Sequence, residues 1–187
     1  MIRNLRSIIS KSRLRKSLVK VNRKRAMINL ADARRIGIIY VLNDTLDYDT
    51  VSGFVTELQR QHKEVKALGF VRNKDLIGRF LPKLSYDFFS RKDVTWFNVP
   101  VQKRVKDFTE TEFDLLIDLS LKEMIPVQYV AGHSRAQCRV GRFTEENTCC
   151  YDFMINLNPA ATLDEFIKQI IYYLTVINKN AEPSVNA

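Results

Sequence analysis

Cysteine is scarce in this chain and poorly spaced for structural use. Cys138, Cys149 and Cys150 make an odd count with no Cys-x-x-Cys pair, which argues against a disulfide framework or zinc knuckle and points to a reducing cytoplasm. No apolar run approaches the roughly 20 residues that cross a bilayer. The N-terminus also lacks the continuous apolar stretch of a signal peptide, so export is not expected. Residues 1–35 contain no glycine, proline or aromatic residue. The loop Asn43–Asp49 has no glycine either and carries Asp44, Asp47 and Asp49. A phosphate needs backbone N–H groups to approach it without competing negative charge, so a dinucleotide or P-loop site there is disfavoured.

What is present is unevenly placed. At 187 residues the chain is most economically one domain plus an appendage, and it carries a net charge of +9. Residues 1–35 hold twelve Lys/Arg against Asp32 alone, for +11, and the rest of the chain is near neutral at −2. The composition of residues 1–35 permits helix. Basic residues such as Lys16 and Arg23 interrupt both apolar stripes, so two short helices or a bent one is expected rather than a single rod. A basic helical arm, residues 1–35, thus precedes an α/β domain, residues 36–178, and residues 179–187 read as a disordered tail.

The domain reads as repeated β-α units. Ile36–Leu42 is a strong strand signal. Val51, Phe54, Val55 and Leu58 form one apolar helical face, and Val65–Val71 is a second strand. Leu115–Leu119 is another apolar run, followed by a helical segment from Leu121 to Ser134 and a strand over Ala136–Val140. Runs without alternation fit parallel strands covered on both faces. Between the two units the reading is thinner: a short helix over Asp75–Phe80, an aromatic loop or turn at Tyr86–Phe89, a strand over Val94–Val99, and a helix or turn around Val101–Phe108. Tyr151–Leu157 is a last strand that could be an antiparallel edge, because Gly141–Cys150 is short for a crossover helix. Thr162 and Glu165 have capping-box spacing before a broad apolar helical face.

Phe113-Asp114-Leu115-Leu116-Ile117-Asp118-Leu119, followed by Ala136, Arg139-Val140-Gly141 and Phe143, resembles part of the N-terminal domain of heptosyltransferase-type glycosyltransferases. That resemblance would place Asp47 on the Asp of their Ser-x-Gly-Asp element, although Leu46 stands where the Gly should be. Their second, sugar-nucleotide domain has no room here. The whole chain is also similar to a family of small bacterial proteins carrying a domain of unknown function. The resemblance implies a freestanding Rossmann-like domain with a mostly parallel five- or six-stranded sheet flanked by helices.

In such a sheet, ligands sit beyond the carboxyl ends of the strands where the strand order reverses. The candidate ligand cleft there comprises Asp44, Asp47, Asp118, Ser120, Arg139 and Arg142. Asp47 as a general base competes with helix capping by Asp47 or Asp49, and capping is favoured. Three carboxylates could hold Mg²⁺, but acidic loops are common and no metal, cofactor or catalytic set is assigned. His133 with Arg135, Arg139 and Arg142 could form an anion pocket or a solvated rim.

The arm is the strongest functional signal. Lys11, Arg13, Arg15, Lys16, Lys20, Arg23, Lys24 and Arg25 give eight cations in fifteen residues, which suits counterion release from a polyphosphate. Without aromatics in the arm, phosphate contacts and little base stacking are expected. The preferred reading is a non-enzymatic accessory protein that binds structured RNA, ribosomal RNA above all. Two readings compete: an anionic membrane surface, and an arm whose apolar residues dock on the domain while its charges face solvent. A degenerate glycosyltransferase-like domain holding a small anionic or nucleotide ligand is the alternative for the domain itself.

Overall fold

A computed structural model describes residues 2–18, 21–72, 76 and 84–177. Six strands form one sheet in the order β3-β2-β1-β4-β5-β6, and every neighbouring pair is parallel. They are β1 (Arg35–Leu42), β2 (Glu64–Val71), β3 (Tyr86–Ser90), β4 (Leu115–Asp118), β5 (Cys138–Arg142) and β6 (Phe153–Ile155). The helices are α1 (Ile2–Leu18), α2 (Thr45–Arg60), α3 (Lys103–Glu110), α4 (Ile125–His133) and α5 (Leu163–Val176). The order reverses between β1 and β4, as in doubly wound α/β folds.

Strand alternation divides the core in two. Ile36, Ile38, Tyr40 and Leu42 of β1 join Leu115 and Ile117 of β4 on one face, under Phe54 and Leu58 of α2 and Phe166 and Ile170 of α5. Ile39, Val41 and Leu116 face the other way, onto Val105 and Phe108 of α3, Val127 and Val130 of α4, and Leu14 of α1. Both faces of the sheet are therefore covered by helices, which is why its central strands carry no polar alternation.

Several expectations are corrected. Tyr86–Ser90 is a strand, not a loop: it adds to the sheet edge beside β2. Val94–Val99 is not a strand. A 3-10 turn at Arg91–Asp93 precedes it, and a lone antiparallel bridge joins Val94 to Pro100 around a turn in which Asn98 has φ 61°. The last strand is parallel, because residues 145–150 carry the chain back through consecutive turns without a helix. The helix expected from Leu121 begins only at Ile125, four residues later, since loop residues first pass the strand end. Asp44, rather than Asp47 or Asp49, caps α2: its side chain accepts the Asp47 N–H, while Asp47 accepts from the Asn43 backbone and side chain. Apart from Leu76, the helix expected over Asp75–Phe80 lies outside the described residues, as do residues 179–187.

Among its described residues the arm is a single helix followed by an irregular stretch, not two helices. α1 docks by Leu14, which is buried, and by Leu18, which meets α4 at Gly132. A Cβ on Gly132 would stand 2.5 Å from Leu18 Cδ2, so the glycine sets how closely the two helices approach. Beyond α1, residues 21–33 have no helix because the domain takes their backbone groups singly. Ala26 N–H donates to Gln137 and Leu30 N–H to Leu174, and the Asn29 amide donates to the Thr175 and Ile177 carbonyls at the end of α5.

Candidate nucleic-acid interface and strand-end cleft

The cations of the N-terminal stretch divide by what they meet. Arg23 is turned inward with a side chain 3% exposed. It donates to the Ala136 and Gln137 carbonyls at 3.0 and 2.8 Å and pairs with Asp152 at 2.5 Å. The other Asp152 oxygen accepts the Arg139 backbone N–H, so the pair sews the arm to the start of β5. Lys11 bridges Glu146, beyond β5, and Glu123 at 3.7 Å, in the β4–α4 loop. Arg25 only approaches Asp152, at 3.9 Å, with its side chain 76% exposed. Arg15, Lys16 and Lys24 are exposed and make no ion pair or hydrogen bond among the described residues. Lys20 lies outside the described residues.

α1 also meets aromatic rings that sequence reasoning did not place there. Arg6 donates to the Trp96 carbonyl at 2.6 Å and its guanidinium lies 5.5 Å from that ring's centre. One and two turns further on, Ser10 accepts from the Asn98 amide, and Arg13 stacks 3.7 Å above Phe97. Positions 6, 10 and 13 share one helical face, so the loop between Val94 and Pro100 lies along α1. Trp96, the chain's single tryptophan, remains 54% exposed. The pairing spans about ninety residues of sequence, so no local signal could have shown it.

The strand-end cleft forms from part of the expected set. Asp118, Ser120 and Arg142 line one pocket under the first turn of α4, joined by Gln128, Asn147 and Tyr151. The Asp118 carboxylate is buried, which pushes its pKa up against the opposing hydrogen bonds from Ser120 and Tyr151. Tyr151 reaches it because Gly141 leaves room for its ring; a Cβ there would be 2.7 Å from Tyr151 Cε1. Tyr151 itself is raised well above its ordinary value, by burial first and then by Asp118.

The remaining candidates go elsewhere. Asp44 and Asp47 are absorbed by the α2 cap. Arg139 is buried on the α4 side and donates to the Ser134 carbonyl, and burial lowers its pKa to about 10. Of the anion pocket expected around His133, His133 and Arg135 line one cleft. His133 stacks on Tyr129 and bonds its carbonyl through Nδ1, while Arg139 turns to the Ser134 carbonyl and Arg142 to the Leu121 carbonyl. Among the described residues no cluster of three His, Cys, Asp or Glu could hold a metal, and no helix is long and apolar enough to cross a membrane.

The strand order, the helices on both faces and a polar pocket at the carboxyl ends of β4 and β5 define a Rossmann-like α/β domain. More narrowly, the chain belongs to a family of unknown function, DUF6913, whose model matches residues 6–177 and so spans the arm as well as the sheet. No curated protein and no solved structure matches the chain.

Proposed function

We propose that this protein binds RNA through a fixed surface, made of the outward side of α1 and the adjoining Trp96 loop. The observation that carries the reading is the pairing of Arg6 with Trp96 and Arg13 with Phe97, which sets exposed aromatic surface among the arm's cations. Arg13, Arg15 and Lys16 supply phosphate contacts, and arginine grips phosphate with a directional fork. Trp96 supplies a face for an unpaired base, worth about 1–3 kcal/mol per stacked base. The expectation of phosphate contacts alone therefore becomes cation plus stacking, on unpaired segments of a folded RNA. A membrane surface is less favoured, since Leu14 and Leu18 face the domain and, among the side chains described in α1, leave Ile8 as the exposed large apolar residue.

The lone tryptophan reports directly. Titrating the protein with a single-stranded oligoribonucleotide quenches Trp96 fluorescence at low salt, whereas inorganic polyphosphate binds without comparable quenching. Absence of RNA binding at low salt, or equal quenching by polyphosphate, would overturn the reading. Flotation with anionic vesicles in the absence of RNA binding would move the surface to a membrane.

A further inference from the structure

The pocket beneath α4 contains more hydrogen-bond donors than the protein satisfies. Gln128, in the first turn of α4, is 4% exposed and its Nε2 makes no hydrogen bond among the described residues. Arg142 spends a terminal nitrogen on the Leu121 carbonyl, and its buried Nε is likewise without an acceptor. The Ser120 hydroxyl in the same pocket is also buried without a hydrogen-bond partner among the described residues. Leaving a buried donor unmade costs about 1–3 kcal/mol, so three such groups in one pocket point to an acceptor supplied from outside. α4 starts above them at Met124 without a side-chain cap, adding the positive end of the helix dipole. The cavity itself is about 20 Å³, room for one oxygen-sized atom.

That cavity shares Glu123 and Met124 with a larger cleft of about 520 Å³ under α1, lined by Arg6, Lys11 and Arg91. Lys11 is shared between Glu146 and Glu123, and Glu123 also accepts from Thr144, so the cationic balance of the cleft rests on Arg6 and Arg91. Asp118 on the floor has both oxygens occupied, by the Ser120 N–H and the Tyr151 hydroxyl. We propose that a small phosphate-bearing ligand is held here. One of its oxygens is seated against Gln128 Nε2 and Arg142 Nε, and its remaining charge faces Arg6 and Arg91. The site is at the carboxyl ends of β4 and β5. It shares Arg6 with the Trp96 pairing, but its seat at Gln128 and Arg142 is apart from Arg13, Arg15 and Lys16, so phosphate binding is separable from RNA binding.

The test uses the full chain, with inorganic phosphate and adenosine 5′-monophosphate as probes and chloride at matched ionic strength as the control. Both probes raise the unfolding temperature above the chloride control. Gln128→Leu weakens the response roughly tenfold, the size of one charge-assisted hydrogen bond. Without ligand the same variant unfolds at the same or a higher temperature, because an unmade donor has been removed. Arg15→Gln/Lys16→Gln leaves the phosphate response intact. Equal shifts with chloride, an unchanged response in Gln128→Leu, or loss of the response in the Arg15/Lys16 variant would each overturn the proposal. Should Gln128→Leu fail to fold, Arg142→Lys keeps the charge, removes Nε and makes the same prediction.

Discussion

Residues 6–18 and residues 21–33 carry the same kind of charge and meet the domain in different ways. The first run is a helix held along two adjoining faces, by Leu14 and Leu18 on α4 and by Arg6, Ser10 and Arg13 on the loop after Val94. Its remaining side, with Arg15 and Lys16, faces solvent. The second run has its backbone bonded to Gln137 and Leu174, and its central cation, Arg23, is buried against Asp152 and two carbonyls. Cation density in a sequence therefore reports neither binding nor packing alone. An arginine enclosed with a carboxylate and hydrogen-bonded on both sides is a fastener, and the same residue eight positions earlier is free to meet a phosphate.

The largest expected effect separates these roles. Arg23→Ala leaves Asp152 without its buried partner and destabilises the fold by about 3 kcal/mol or more in urea melts. Arg25→Ala, at the same carboxylate but in solvent, changes stability by less than about 0.5 kcal/mol. Similar losses for the two would erase the distinction.

A second effect concerns pH. Burial raises the Asp118 pKa above its unfolded value, so the folded state holds a proton that the unfolded chain has released. Its contribution to stability is full below the ordinary carboxylate range and is lost as pH rises through the raised value. Asp118→Asn should flatten that decline in stability measured across mildly acidic to neutral pH. A decline of the same slope in the variant would assign it to another group.

Gly132→Ala sharpens the comparison locally. The added methyl improves the intrinsic helix propensity of α4 by about 1 kcal/mol but displaces Leu18. The global unfolding midpoint should stay close to wild type while amide exchange in residues 6–18 quickens. Uniform protection across α1 would show that Leu18 yields without loosening the helix. Lys11→Met should also cost little, less than about 1 kcal/mol in urea melts, because the Lys11 pairs are part-exposed.

Much of the sheet was legible because β1, β2 and β4 are covered on both faces and so read as unbroken apolar runs. β3 was obscure for the opposite reason. As an edge strand with Tyr86 and Asp87 half-buried, it mixes polar and aromatic residues like a loop. Val94–Val99 has strand-forming composition, but Asn98 and Pro100 turn it back on itself. In the cleft, Asp118, Ser120 and Arg142 followed from where parallel strands end. Gln128 had a signal that went unread, as a lone amide within the apolar stretch Ile125–Ala131. Trp96 beside Arg6 had none, since only the folded chain brings them together.

The salt dependence of RNA affinity is the most direct check on the division between the two runs. It can be followed by fluorescence anisotropy of a labelled single-stranded oligoribonucleotide. Replacing Arg13, Arg15 and Lys16 with glutamine should lower the slope of log affinity against log salt by roughly two, at about 0.7 per phosphate contact on single strands. Lys24→Gln/Arg25→Gln should leave that slope unchanged. An unaltered slope in the α1 variant, or an equal drop in the second, would contradict the assignment of binding to the outward face of α1.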